Sequence, residues 1–464
     1  MTNEVRRETM EYDVVIVGAG PSGLSTAIKL KQLNSEINVC ILEKGSEVGS
    51  HILSGNVFET KALDELLPNW KDMNSPIKTR VKKEKFLFLS KNSSVSWPIW
   101  LLPSVQKNHN NYIISLGNLC KWLAQQAEDL GVEIFPGFAA SKVLYSDKNE
   151  IIGIQTGDMG IDKEGNHKDS FEPGINIMAK VTVLAEGCRG HLGKEVIKKY
   201  SLDKNKSPQQ YGIGLKEIWE VPENQHDEGL VMHTAGWPLD KNTYGGSFCY
   251  HAENNKIYIG YVIGLDYKNP YLSPYDEFQR FKNHPSINKY LKNGKRISYG
   301  ARALIEGGIQ SLPQMYMPGA LLIGCDAGTL NMPKIKGTHT AMKSGIIAAE
   351  TIVDFIEKNI PLSNYENKFK QSWLYKELFK ARNVKPSFNW GLLPAILFTG
   401  LDQILFKGYL PFTLRHKHAD HETLTSSKKA ERINYPKYDG VLTFDKTSSV
   451  YLTGTNHEAD QPVH

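Results

Sequence analysis

Gly18, Gly20 and Gly23 stand in the spacing GxGxxG, and Glu43 follows 20 positions after the last of them. The chemistry that needs this pattern is the binding of a dinucleotide diphosphate. Gly18 permits a tight turn, Gly20 lets the backbone come close to the phosphates, and Gly23 lets a helix pack closely on a strand. The free N–H groups and positive dipole end of that helix attract the diphosphate. An acid at the distance of Glu43 reaches a ribose hydroxyl. Packing alone would leave the glycines as a turn. Strand, glycines, helix, strand and acid in succession favour an adenine dinucleotide.

The elements that must position these residues surround them. Residues 14–17 are an apolar, β-branched run, as expected of a buried parallel strand. A helix with apolar residues at Leu24, Ala27, Ile28 and Leu30 follows, and a second strand, INVCILE, ends at Glu43. Much later, a strand over 181–185 precedes Glu186-Gly187. A strand over 321–324 precedes Asp326, and a glycine- and alanine-rich helix begins at about Thr338. These stretches resemble the second and third fingerprints of the glutathione-reductase-type FAD fold. The likeness implies that Gly187 and Thr338 lie at the cofactor and that Asp326 binds its ribityl chain. A helix N-cap is the alternative for Asp326. A protein that binds only NAD has no need of this distant second contact, so FAD is expected.

Bulk composition narrows the field. A chain of 464 residues, 40% hydrophobic and 23% charged, can hold two or three globular domains. A net charge of +5 without a long Lys/Arg run argues against nucleic acid, though it suits an anionic lipid surface. Cys40, Cys120, Cys188, Cys249 and Cys325 are odd in number and lack a CxxC pair. They read as small buried hydrophobes, not as a disulfide framework, zinc site or iron–sulfur cluster. The first residues lack the apolar core of a secretory signal, and no run of 18 apolar residues is present. There is no HExxH and no nucleophile–histidine arrangement. His416, His418 and His421 read as solvated surface, and no metal ligands are assigned.

Between 208 and 308 the pattern changes. YGIGLKEIWEV, TYGGSFCYH, KIYIGYVIGLDY and ISYGARALIEGG read as strands of a mixed or antiparallel sheet, with an amphipathic helix over SPYDEFQRFKNHPSI. Gly245-Gly246 within a strand means either close approach of a ligand or backbone, or a β-bulge.

LSGNVFE, LAEGCRGHLGK, YGIGLKE, GWPLDKNTYGGSF, VIGLDYKNPYLSPYDEFQRFKNHPSI, MPKIKGTHTAMKSG and LTGTNHEADQPVH closely resemble the electron transfer flavoprotein–ubiquinone oxidoreductase family, from about Tyr12 to His464. The resemblance implies a membrane-associated oxidoreductase that takes electrons from electron transfer flavoprotein through FAD to ubiquinone. It implies that Gly245 and Gly246 lie at the quinone and Thr338 near the flavin ring. The flavin carries the chemistry, and no side chain is assigned as catalytic. The family also carries a ferredoxin-like domain with a [4Fe–4S] cluster. None of the five cysteines here has the spacing of its four ligands; either the chain is truncated or split, or this version lacks the cluster, so electron input is in question. A geranylgeranyl-reductase-like enzyme, a relative serving nitrogen-fixation electron flow, or an inactive FAD-binding fragment are the competing readings.

The expected architecture is α/β, α+β overall. A Rossmann-like FAD domain spans 12–205 and 309–375, an inserted quinone sheet 206–308, and a membrane-surface helix with a C-terminal segment 376–464. That helix, over 391–406, is too short to span a bilayer. It carries a narrow polar stripe of Thr399, Asp402, Gln403 and Lys407 beside a wide apolar face. Such a helix lies either in a core or in a membrane interface. A quinone with its tail in lipid favours the interface, with the Trp97 to Ser104 loop as a second contact. The expected location is monotopic, on the cytoplasmic face of a bacterial inner membrane or the matrix face of a mitochondrial one.

Overall fold

The computed structural model describes residues 6–52 and 55–455. Residues 1–5, Leu53 and Ser54 of LSGNVFE, and 456–464 of the C-terminal segment lie outside the described residues. A first sheet carries the parallel strands Ala320–Leu322, Asn176–Leu184, Thr9–Val17, Val39–Glu43 and Glu133–Pro136 in that spatial order. Val14, Val15 and Ile16 are wholly buried, which is why the central strand tolerates no alternation of polar residues. Helices Pro21–Leu33 and Thr338–Lys358 pack on each other closely. A Cβ on Gly345 would lie 2.3 Å from the Ser22 carbonyl oxygen.

The second sheet has the order Lys295–Ile305, Tyr211–Glu220, Lys256–Gly264, Gly245–His251, Leu230–Gly236, Lys83–Leu89, Ser94–Trp97. It draws two strands from ahead of position 206, and Leu230–Gly236 runs parallel to Lys83–Leu89. Alternation along its strands divides two environments. Leu215, Trp219, Ile259 and Tyr261 point to one face, under Phe278 and Phe281 of the helix Pro274–Lys282. Gly214, Lys216, Val262, Gly246, Phe248 and His233 alternate with them and line a cavity on the other face.

Three sequence expectations change. The single helix over 273–287 is two, Pro274–Lys282 and Pro285–Leu291. Proline disfavours helical backbone at the residue before it. His284 is accordingly extended, and its Nδ1 accepts from Ser286 N at 3.2 Å. The strand expected over 321–324 is Ala320–Leu322, because Gly324, at φ +62°, turns the chain into the short helix Gly324–Ala327. The helix over 391–406 is α-helical only for Leu392–Gly400 and continues as a π-helical stretch, Leu401–Leu405.

Beyond that helix the chain runs back over the second sheet with little regular structure. Arg382 holds its start, donating to the carbonyls of Gly408, Leu410 and Phe412. Tyr275 Oη holds its end, donating to Phe444 O at 2.6 Å and Asp445 O at 2.8 Å.

Candidate functional site

The glycine loop follows from sterics. Gly18 has φ +107°, and an added Cβ would lie 2.6 Å from Ala185 O. A Cβ on Gly23 would lie 2.1 Å from Gly18 O, so the helix can sit this close only with glycine there. At Gly20 a Cβ would meet nothing within 4 Å; the position opens into the cavity. No side chain caps the helix Pro21–Leu33 at its start, so its first N–H groups remain available to an anion. Glu43 ends its strand beside this loop. Its Oε2 accepts from Ala19 N at 3.1 Å and its Oε1 from Gly45 N at 2.8 Å.

The later residues assemble against the same loop. Asp326 is not a helix N-cap; Ile323 occupies that position. The Asp326 carboxyl is buried, its Oδ2 accepts from Glu186 N at 3.3 Å, and burial with the nearby Glu186 charge pushes its pKa well up. Glu186 itself caps the helix His191–Tyr200, accepting from Gly193 N at 2.8 Å and Leu192 N at 3.4 Å. Gly187, at φ +87°, faces open space. Thr338 starts a long helix whose N-cap, Gly337, offers no side chain, so a second bare helix N-terminus lines the cavity.

The cavity holds about 1060 Å³ and is bordered by Gly18, Gly20, Glu43, Gly187, Thr338, Gly245 and Gly246 together. Gly23 and Asp326 stand behind its wall. The glycine pair is not a bulge: the ladder from Gly245↔Ile263 to His251↔Ile257 keeps one register. A Cβ on Gly245 would lie 2.5 Å from Val262 O, and one on Gly246 2.7 Å from Thr234 O. Pairing with Leu230–Gly236 ends at Thr234↔Ser247, so both glycines lie past the last paired position on that side.

Several lining residues escaped the sequence reading. Lys216 faces the cavity with its Nζ 4.6 Å from the Tyr258 ring centroid, and burial pulls its pKa down to about 7. His233 shares a 2.8 Å hydrogen bond between its Nε2 and Tyr250 Oη, and burial holds it neutral, with a pKa of about 3. Lys44, Arg302 and Glu306 line it too. The period-two alternation of YGIGLKEIWE, with Leu215 and Glu217 on the packed face, was the available signal for Lys216.

At the far end the lining turns apolar. Leu397, Leu401, Ile404 and Leu405 border the cavity while 76%, 48%, 54% and 67% exposed on the outside. Within the polar stripe Thr399 and Asp402 point inward and are buried, while Lys407 is exposed; Asp402 O accepts from Gly408 N at 2.8 Å. Trp100 is 75% exposed nearby in sequence to Trp97 and Leu101, which also line the cavity. No helix among the described residues is long and apolar enough to cross a membrane. His418 and His421 are exposed as expected, but His416 is buried, within electrostatic reach of Lys385 and Asp266, and is not solvated surface. Glu59, His339 and Glu377 cluster closely enough to suggest a metal. Lys334 Nζ already supplies the cation there, 2.5 Å from Glu59 and 3.1 Å from Glu377. The arrangement as a whole can hold a diphosphate between two helix N-termini and admit a greasy ligand from the opposite end.

Comparisons with known proteins bear on this arrangement. A family profile described as ETF-QO, ubiquinone-binding, matches residues 211–304, and one for the Thi4 family matches 2–66. Over 471 residues the chain is 53% identical to the electron transfer flavoprotein-ubiquinone oxidoreductase of Pseudomonas aeruginosa, covering 99% of this chain and 86% of that protein. It is 50% identical to the mitochondrial proteins of the same name from Homo sapiens (99% and 77% covered) and Arabidopsis thaliana (100% and 74%). Among solved structures, a geranylgeranyl bacteriochlorophyll reductase-like protein from Thermoplasma acidophilum matches with TM-score 0.61 at 20% identity, over 80% of this chain and 86% of that one. A flavoprotein/dehydrogenase from Cytophaga hutchinsonii matches with TM-score 0.56 at 18% identity, over 89% and 91%. At these identities the structural likeness is one of fold.

Proposed function

The chain belongs to the electron transfer flavoprotein–ubiquinone oxidoreductase family, and from that premise we propose that it passes electrons from reduced electron transfer flavoprotein, through bound FAD, to ubiquinone at a membrane surface. The observation that carries this reading is one cavity bordered at one end by the glycine loop and at the other by exposed leucines.

The residues present fit FAD. Gly18, Gly20 and the bare N-terminus of Pro21–Leu33 would hold the diphosphate, Glu43 a ribose hydroxyl, and Asp326 the ribityl chain, with Gly187 in the cavity wall. The N-terminus at Thr338 would face the ring or the diphosphate. The bound flavin supplies the electron-carrying chemistry. The protein orients it, excludes water and brings the quinone to it. Gly245 and Gly246 would present backbone groups to a quinone oxygen, consistent with their place past the last paired ladder position.

Leu397, Leu401 and Leu405 would sit in lipid with the helix in the plane of the membrane, joined by Trp100. A buried Thr399 and Asp402 suit that orientation, because this part of the polar stripe serves the protein interior and the apolar face the bilayer. Relatives named as mitochondrial support a membrane-associated location. Reducing the FAD-loaded chain and adding a soluble ubiquinone analogue tests the proposal. Flavin absorbance should return as the analogue is consumed; a flavin that stays reduced rules it out.

A further inference from the structure

Behind Tyr244 the cavity wall holds a cluster of ionisable side chains that the reading above leaves unused. Glu306 follows the strand Lys295–Ile305, lines the cavity and is 3% exposed. Lys385 Nζ lies 3.3 Å from Glu306 Oε2, 3.5 Å from Asp266 Oδ2 and 3.8 Å from the Tyr244 ring centroid. Glu306 Oε2 nonetheless has no hydrogen bond among the described residues.

The cluster continues toward solvent. His416, in electrostatic reach of Lys385 and Asp266, is 4% exposed, and neither ring nitrogen has a hydrogen-bond partner among the described residues. Asp420 interacts with Asp266, Lys385 and Glu306. Its Oδ2 accepts from Tyr211 N at 2.8 Å, while its buried Oδ1 accepts nothing among the described residues. Asp420 is only half-buried and starts the surface turn Asp420–Thr423.

A purely structural ion pair matches one acid to one base and satisfies both. Here one ammonium faces three carboxyl groups, so at least one of them holds a proton cheaply. Burial raises the pKa of Glu306, raises that of Asp420 to about 6 and lowers that of His416 to about 4. The string therefore runs from a half-exposed end, where the Asp420 pKa is about 6, to a cavity-lining end at Glu306.

We propose that Glu306 delivers a proton to the substrate at Gly245-Gly246, resupplied from solvent through Asp420, Asp266 and Lys385. This rests on the reading of that substrate as a quinone. Reduction of a quinone to a quinol takes two electrons and two protons and forms two O–H bonds. The electrons come from the reduced flavin. The proton for the oxygen at Gly245-Gly246 enters by this route; of the two released as the flavin is oxidised, one goes to the other oxygen and one returns to solvent. Protons cross only hydrogen-bond distances, so a quinone in a cavity needs a titratable wall group connected to water. Glu306 is a lining acid 3.3 Å from Lys385, which lies 3.5 Å from Asp266, and Asp420 at the half-exposed end feels the charges of all three.

The test follows reoxidation of the photoreduced, FAD-loaded full chain across pH, once with a soluble ubiquinone analogue and once with ferricenium, which takes electrons without protons. Glu306→Gln should slow the quinone reaction at least about 100-fold, the low side of what a positioned proton donor contributes. It should flatten the pH profile and change ferricenium reduction and FAD content far less than it changes the quinone reaction. Glu306→Asp should restore part of the rate. The infrared carbonyl band of buried protonated carboxyls, to which Asp326 also contributes, should lose intensity in Glu306→Gln. Asp420→Asn should slow only the quinone reaction, and it carries the comparison if Glu306→Gln fails to fold. An unchanged quinone rate and pH profile, or equal slowing with both acceptors, overturns the relay. A parent chain that reduces ferricenium but never the analogue overturns the quinone reading and the relay with it.

Discussion

Lys282 Nζ donates to both carboxylate oxygens of Glu217, each at 2.9 Å, on the face of the second sheet turned away from the cavity. Arg296 Nη1 lies 3.2 Å from the same carboxylate, and Trp219 Nε1 donates to it at 2.8 Å. All are sealed from solvent, and burial pulls the Lys282 pKa down to about 8. This pairing ties the helix Pro274–Lys282 to the strand Tyr211–Glu220, whose other face carries Gly214 and Lys216 into the cavity.

Glu217→Ala should be severe, because it strands two buried cations. A loss of about 3–5 kcal/mol is expected in urea unfolding. Lys282→Met should cost less, since Arg296 still balances the carboxylate. Comparable losses from the two would mean that Arg296 contributes little.

The glycine loop separates folding from cofactor binding. Gly23→Ala drives a Cβ to 2.1 Å from Gly18 O and should lower both melting temperature and FAD content. Gly20→Ala meets no protein atom. It should leave the melting temperature of the FAD-free chain within a degree or two and weaken FAD binding by at least about tenfold, roughly 1.4 kcal/mol. Flavin absorbance per chain reports both.

Gly246→Ala places a methyl 2.7 Å from Thr234 O, and Gly245→Ala one 2.5 Å from Val262 O. Each should lower turnover of a ubiquinone analogue far more than FAD content. Parallel loss of the two would reduce the pair to a packing requirement.

Replacing Leu397, Leu401 and Leu405 together by Asp should release the chain from liposomes made of anionic and neutral phospholipid. The helix should survive, because those side chains are already 76%, 48% and 67% exposed. Co-sedimentation with liposomes measures the release. Undiminished binding would move the lipid contact to another surface, with Trp100 the next to replace.

His251 makes acid unfolding predictable. It is wholly buried, its Nδ1 accepts from Asp227 N at 2.9 Å, and burial, with His226 beside it, pulls its pKa from 6.5 to about 3. Between those values the unfolded chain binds more protons, so stability rises with pH there and is lost on acidification. The slope is at most about 1.4 kcal/mol per pH unit for one such group. His251→Asn should flatten the dependence of urea midpoints on pH over this window, and an unaltered slope would mean His251 titrates normally.

Much of this was readable from residue order because each signal answered a local demand. Gly18 and Gly23 avoid specific carbonyl oxygens, and the strand runs around them are apolar because both sheet faces are covered. The glycine pair at 245 and 246 was readable as an oddity, and its register in the sheet removes the bulge. What failed was non-local. The exposed or buried fate of His416 depends on Lys385 and Asp266, far away in the chain. The direction of the stripe at Thr399 and Asp402 depends on which face of the helix the protein covers, and periodicity reports the stripe without its direction. The break at Pro285 was a local signal, overridden in the reading by the amphipathic pattern on either side of it.

The parallel pairing of Leu230–Gly236 with Lys83–Leu89 has a consequence for dissection. An excised 206–308 fragment would lack the strands Lys83–Leu89 and Ser94–Trp97 and would expose Leu230–Gly236 as a bare edge of unpaired N–H and C=O groups. A ribosome emitting the chain faces the same gap: the strand at Lys83–Leu89 must wait for its neighbour until the polypeptide has grown past Gly236. The wall beneath the glycine pair is therefore completed only after both stretches have left the ribosome.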